Sequence, residues 1–181
     1  MNYDLPKSIE VGGEVYEIRS DFRAALDICA ALNDPEIRDE ERGYTVLDIF
    51  YPDIDEMPPQ DYQEAIDKCF WFIRGGEEER NTKGPRLVSW EQDFNLICPA
   101  VNRIVGHDIR GDAYMHWWTF LSAYMEIGDC LFSQVVAIRS KKAKNQTLDK
   151  QDREFYRRNR DLIDIKKPLT EAEQDILKEW M

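Results

Sequence analysis

Two histidines and two aspartates within one short segment are the side chains with the clearest potential for chemistry. They are His107, Asp108, Asp112 and His116. A zinc site on a helix needs ligands on one face, and histidines nine positions apart do not share one. No third soft ligand stands near them in the sequence. We therefore interpret both histidines as structural or surface residues and expect neither a metal nor a cofactor.

Other catalytic patterns are equally weak. The glycine pairs at 12–13 and 75–76 fit turns, and neither gives the glycine spacing of a phosphate-binding loop. No serine or cysteine lies in a recognisable nucleophile elbow. The four cysteines form no CxxC pair and stand among apolar neighbours, as expected of reduced core thiols. We expect a protein without catalytic activity.

Acidic residues outnumber basic ones, 36 to 24, which gives a formal charge of −12. This charge disfavours binding to nucleic acid or anionic lipid. No apolar run reaches the about 18 residues that cross a bilayer. Residues 1–100 hold 23 acids and 10 bases, whereas 139–167 hold 11 bases and 5 acids. Two alternatives stay open: the basic stretch docks on a second copy, or it folds back on the acidic body.

The elements that carry these residues are mostly helical. Alternating residues around Gly12-Gly13 predict a hairpin, and Ser20 or Asp21 is a suitable cap for the helix that follows. Helices are also expected at 60–74 and from Ser89, with a kink at Pro99. Residues 36–60, acidic and rich in proline, predict a loop with one apolar turn at 47–50.

A heptad-like series of apolar residues follows Asp112 and predicts a helical seam for packing, bent or divided at Gly128-Asp129. Polar helices are expected at 149–165 and 170–180. The predicted fold is mainly α, a helical bundle with a small N-terminal β-hairpin. The predicted domains are 1–145, with the hairpin, and a basic helical extension over 146–181.

The segment Ser89–Arg139 contains SWEQDFNLICPAVNRIVGHDIR and MHWWTFLSAYMEIGDCLFSQVVAIR. It resembles the bacteriophage gene-product-fifteen family of small tail-region proteins, through the Trp90–Asp93 start, the Gly106–Ile109 turn, the His-Trp-Trp-x-Phe motif at 116–120 and Ile138-Arg139. The resemblance implies a tail assembly chaperone in the host cytoplasm. Its implied partner is the tape-measure protein, with the major tail protein and a second copy as further candidates.

Adjacent residues on a helix point about 100° apart, so Trp117 and Trp118 cannot face the same surface. One is expected to anchor the core while the other packs elsewhere or meets a partner. The partner-binding residues that we predict are Trp117, Trp118, Phe120, Leu121 and Tyr124. The alternative function is a phage regulatory or nucleic-acid-binding protein that uses the basic helix 150–160, with Arg153, Arg157, Arg158 and Arg160 on the phosphates.

Overall fold

The computed structural model describes residues 4–78 and 84–166. It is mainly α-helical with one small two-stranded antiparallel sheet, as predicted. Among the described residues, none of the helices is long and apolar enough to span a membrane. The elements in chain order are β1 (Ser8–Val11), β2 (Glu14–Glu17), α1 (Phe22–Ala31), α2 (Asp39–Phe50), α3 (Tyr62–Ile73), α4 (Trp90–Val105), α5 (Trp117–Met125), α6 (Leu131–Ala143), α7 (Lys150–Arg158) and α8 (Arg160–Ile163), with 3₁₀ turns at Ile54–Glu56, Pro59–Asp61 and Ile109–Gly111.

The N-terminal hairpin has the predicted two-residue connection. Gly12 and Gly13 have φ values of 61° and 87°, a left-handed conformation that glycine adopts without a steric penalty. Val11 pairs with Glu14 directly across the turn. Ile9 and Val11 are buried while Glu10 is exposed, so β1 buries one face only.

Capping side chains set the starts of two predicted helices. The Asp21 carboxylate accepts a hydrogen bond from the Arg23 N–H and begins α1. Ser89 accepts from the Gln92 N–H at 3.5 Å and begins α4. α4 runs without interruption through Pro99 and ends at Gly106, which has a φ of 84°.

One expectation about the helices is wrong, and one of the two alternatives for the seam is confirmed. Residues 39–50 form the helix α2, where a loop with a single apolar turn was predicted, so that prediction was wrong. The predicted seam is divided into α5 and α6 around Gly128-Asp129, and Gly128 and Leu131 in its middle are exposed. The fully buried positions of the seam are Trp117 on α5 and Val135 and Ile138 on α6. The helix predicted at 170–180 lies outside the described residues.

The chain forms two compact units. Among the described residues the first unit comprises 4–78 and 114–120, and the second comprises 84–113 and 121–166. The largest buried side chains of the first unit are Phe22, Ile28, Leu47, Phe50, Tyr51, Phe72, Trp117 and Phe120. The predicted boundary between 1–145 and 146–181 stays a prediction, because 167–181 lie outside the described residues.

The core of the second unit depends on residues beyond position 145. Ile163 of α8 packs against Val135 and Ile138 of α6, and all three are at most 1% exposed. Half-buried side chains from four segments cover this cluster: Leu96, Leu148, Phe155, Tyr156 and Leu162. The basic stretch is therefore anchored in the second unit by apolar contacts as well as by charge.

Candidate partner-binding surface

His116 holds the segment before α5 to the N-terminus of the chain. Its Nδ1 accepts a hydrogen bond from the Trp118 N–H at 3.0 Å, and its Nε2 lies 2.9 Å from the Pro6 carbonyl oxygen. The first contact requires a free lone pair on Nδ1, so we assign the neutral tautomer with its proton on Nε2. Burial lowers the pKa of His116, and the positive charge of Lys7 lowers it further.

Trp117 and Phe120 are core residues of the first unit. They are 1% and 0% exposed. The two rings stack with centroids 5.5 Å apart, and Phe120 stacks on Phe22 at 5.0 Å. The indole N–H of Trp117 donates to the Ile73 carbonyl oxygen at 2.9 Å. As the protein is folded, neither side chain offers a surface to a partner.

Trp118 is half-buried and packs against the end of α3. Its indole N–H donates to the Phe72 carbonyl oxygen at 2.8 Å, and its ring meets Trp71 edge-on at 5.4 Å. A Cβ atom at Gly76 would lie 2.9 Å from the Trp118 ring. Trp117 and Trp118 donate to two carbonyl groups in the last turn of α3, and the Phe72 carbonyl also accepts from the Gly75 N–H at 3.0 Å. The tryptophan pair is therefore first a structural cap.

Leu121 and Tyr124 belong to the second unit, and both are half-buried. The Tyr124 ring lies 4.9 Å from the Trp90 ring. Burial raises the pKa of Tyr124, and the charge of Asp93 adds to this. Met125, one turn after Leu121, is 71% exposed. Since positions three and four apart share a face, Leu121, Tyr124 and Met125 form one apolar patch on α5, here called the α5 patch.

A groove of about 290 Å³ lies between α4 and the start of α6 in the second unit. Its apolar walls come from Leu96, Pro99, Ala100, Leu131 and Phe132. Leu131 is 46% exposed, and Ile104, one turn beyond Ala100 on α4, is 42% exposed. The second unit thus leaves large apolar side chains in contact with solvent, where they cost free energy unless something covers them.

A buried ion pair joins the two helices that form this groove. The Arg139 guanidinium on α6 donates to both carboxylate oxygens of Asp93 on α4, at 2.6 and 2.9 Å. The exposed fractions of the two side chains are 5% and 0%. The remaining donors of Arg139 reach the carbonyl oxygens of Leu87, Leu162 and Ile163. All five guanidinium N–H groups are therefore used, the condition under which a buried arginine is tolerated.

A family model described as Bacteriophage Gp15 protein matches residues 1–165. The chain belongs to this family. The match covers most of the chain and confirms the resemblance first noted for Ser89–Arg139. No curated protein and no solved structure matches it. The chain is accordingly a phage protein, and its finer role has to be argued from its own surface.

In this Gp15 family protein the two histidines belong to different units. His107 is exposed, and its Nε2 lies 2.8 Å from the Asp112 carboxylate, which raises the pKa of His107. His116 makes the two contacts described above. Within 4–78 and 84–166 no group of three histidine, cysteine, aspartate or glutamate residues is arranged to hold a metal.

The surroundings of the cysteines fit thiols that pack in the protein and do not react. All four are free thiols, with Cys69 and Cys98 buried. Burial raises the pKa of Cys69 to about 12, so this thiol stays protonated and is a poor nucleophile.

The basic residues of the alternative function lie on α7 and at the start of α8. Arg153, Arg157, Arg158 and Arg160 are all exposed. Arg160 lies 3.8 Å from the Asp164 carboxylate. The other three extend from α7 towards solvent.

Sequence reasoning missed the Asp93–Arg139 pair. Both residues stand in the segment on which the resemblance rests, but nothing in their spacing indicates that they meet. A signal existed, since an arginine inside an otherwise apolar helical stripe requires a buried acceptor.

Proposed function

We propose that this Gp15 family protein is a non-catalytic tail assembly chaperone that binds the tape-measure protein in the host cytoplasm. The observation that carries the proposal is the apolar surface of the second unit, in a protein of a phage family. The α5 patch and the groove between α4 and α6 leave Met125, Leu131 and Ile104 exposed. Surfaces of this kind mark sites for other proteins more often than sites for small polar ligands.

The binding surface is narrower than the sequence predicted. Trp117 and Phe120 support the fold from within the core. Leu121 and Tyr124, together with Met125, carry the contact on the second unit. Trp118 lies one turn before Leu121 on the same helix and keeps a partly exposed ring. We assign Trp118 a secondary role in binding, because its indole N–H already donates to the Phe72 carbonyl oxygen.

A tape-measure chain is a suitable client on physical grounds. It is a long helical protein with apolar stripes, and such stripes aggregate until they are covered. An amphipathic helix lays its apolar face into a groove of the kind seen between α4 and α6. The formal charge of −12 would keep the resulting complex dispersed.

Co-expression with the tape-measure protein of the same phage is the test. We expect more tape-measure protein in the soluble fraction when the chaperone is present, and we expect the two to co-purify. The major tail protein is run in parallel as a second candidate client. Equal tape-measure solubility with and without this protein would rule out the proposal.

Two single substitutions make the test specific to a surface. Met125 and Val15 are similarly exposed, at 71% and 68%, so aspartate at either position should leave folding intact. We expect Met125→Asp, beside Leu121, to weaken tape-measure binding about tenfold, equal to ~1.4 kcal/mol. Val15→Asp on the hairpin is the matched control and should bind as the wild type does.

A further inference from the structure

The outer face of α7 carries a row of cations that form no ion pair within residues 4–78 and 84–166. Lys150, Arg153 and Arg157 follow one another at three- and four-residue steps, so they share a face, and all are exposed. We call these three residues the basic stripe. Among the described residues, no carboxylate lies within 4.0 Å of their charged nitrogens.

Two neighbouring lysines differ from the basic stripe, because each pairs with an acid of the second unit. Lys141 pairs with Asp152, and Lys142 pairs with Asp164. The Lys142 ammonium also lies 3.9 Å from the centre of the Tyr156 ring. These contacts, with Phe155 and Tyr156 packed on the core, fix which side of α7 faces inward. The basic stripe is thus held facing outward on an anchored helix.

The first unit carries the opposite charge around its hairpin turn. The carboxylates of Glu14, Glu56 and Asp61 lie close enough to Tyr16 to raise its pKa, in addition to the larger effect of burial. Glu64 accepts a hydrogen bond from the Gly12 N–H at 3.2 Å. We call these four acids the acidic turn. The Asp61 carboxylate also borders the hairpin turn, because a Cβ atom added at Gly12 would lie 2.6 Å from one of its oxygens.

We propose that the basic stripe of one molecule docks on the acidic turn of a second copy. The charges are complementary, and each surface lies on an element whose other side is packed. Nucleic acid fits less well, because the protein as a whole carries a formal charge of −12, which disfavours binding to phosphate. This inference does not depend on the proposed function, since it concerns other residues and another partner.

Sedimentation of the full-length protein over a concentration series tests self-association. We expect species heavier than the monomer at ~50 mM salt, and a dissociation constant at least about tenfold higher at ~500 mM, where charges are screened beyond roughly 4 Å. A monomer at every concentration in low salt would overturn the proposal.

Charge reversal identifies the surfaces. The double variant R153E/R157E and the double variant E14K/E56K should each be monomeric alone, and an equimolar mixture should associate again. R38E/R74E changes the charge by the same amount at exposed arginines outside the stripe, so it should still associate. Association of R153E/R157E at the wild-type level, or failure of the mixture to associate, would contradict the docking mode.

Binding to DNA is the rival outcome and is measured on the same proteins. We expect no salt-sensitive affinity for a mixed-sequence duplex in fluorescence anisotropy. Strong binding at ~50 mM salt that is lost in R153E/R157E would assign the stripe to nucleic acid and reject self-docking.

Discussion

Each of the two units is stabilised internally by a different kind of polar contact. In the first unit, neutral side chains donate to backbone carbonyl groups: His116 to Pro6, Trp117 to Ile73 and Trp118 to Phe72. In the second unit, the charged pair Asp93–Arg139 is fully buried. A neutral donor costs little to bury once it is bonded, whereas a buried charge is tolerated only while its partner is present. The second unit should therefore be the more sensitive to a single truncation.

The largest effect is expected from Arg139→Ala. It leaves the Asp93 carboxylate buried without its counter-ion, and we expect the free energy of unfolding to fall by about 3–5 kcal/mol. Urea denaturation followed by circular dichroism measures this loss. Removing both charges in the variant D93L/R139M should recover only part of it, because no lone charge then remains but the carbonyl groups of Leu87, Leu162 and Ile163 still lack their donor.

A surface ion pair provides the control for that comparison. Arg110 pairs with Asp108 in the same unit, with side chains 61% and 50% exposed. Arg110→Ala should cost less than about 1 kcal/mol, since water replaces the lost contact. If Arg139→Ala cost no more than Arg110→Ala, the contrast between the two units would be wrong.

Trp117→Phe is the matching test in the first unit. It keeps an aromatic ring but removes the N–H that satisfies the Ile73 carbonyl oxygen, and it leaves a small gap in the core. We expect a loss of about 1–3 kcal/mol in the same denaturation experiment. Trp118→Phe should cost clearly less, because Trp118 is partly exposed and the Phe72 carbonyl oxygen keeps its hydrogen bond from the Gly75 N–H. Equal losses would mean that both indoles are equally buried.

Gly76→Ala tests the packing of Trp118 on the end of α3. Gly76 has a φ of 83°, and an added Cβ would meet the Trp118 ring at 2.9 Å. We expect a loss of about 1–2 kcal/mol from backbone strain and displacement of the ring. Gly111→Ala is the control, since nothing lies within 4 Å of its added Cβ and its φ is not positive. Thermal unfolding of both variants measures the two losses of stability, and the loss for Gly76→Ala should be the larger.

The smallest effect concerns pH, and the two histidines should respond in opposite directions. The pKa of His116 is lowered from 6.5, so its stabilising contribution is complete above 6.5 and is lost as the pH falls through its folded value. Protonation would also place a second donor against the Trp118 N–H. The pKa of His107 is raised, so its contribution is present below 6.5 and is lost as the pH rises through the folded value.

NMR titration of the histidines measures both pKa shifts in one experiment. The midpoint of His116 should lie below 6.5 and that of His107 above it. His116→Asn keeps an acceptor for the Trp118 N–H, and we expect it to remove part of the stability loss seen below pH 6.5. A midpoint for His116 above 6.5 would show that its ring is solvated.

Elements determined by local contacts were predictable. The Gly12-Gly13 turn, the Asp21 and Ser89 caps and the spacing within α3 and α4 act over a few residues, so the sequence carries them directly. The helix α2 was not predicted, because the prolines that follow it and the acids within it are more typical of a loop, and its apolar residues are few. A local signal was present, since Asp39, Glu40 and Glu41 in its first turn favour the positive end of the helix dipole.

The sequence by itself determined the mainly helical class, the hairpin and the membership of a phage family. Only the tertiary structure decided that Trp117 lies in the core and Trp118 at its edge. Helical spacing shows that the two side chains point in different directions, but it does not show which of them packs against other elements. The same holds for Asp93 and Arg139, which stand 46 residues apart. Their pairing depends on how α4 and α6 pack, and a long-range contact of this kind leaves no periodic pattern in the chain.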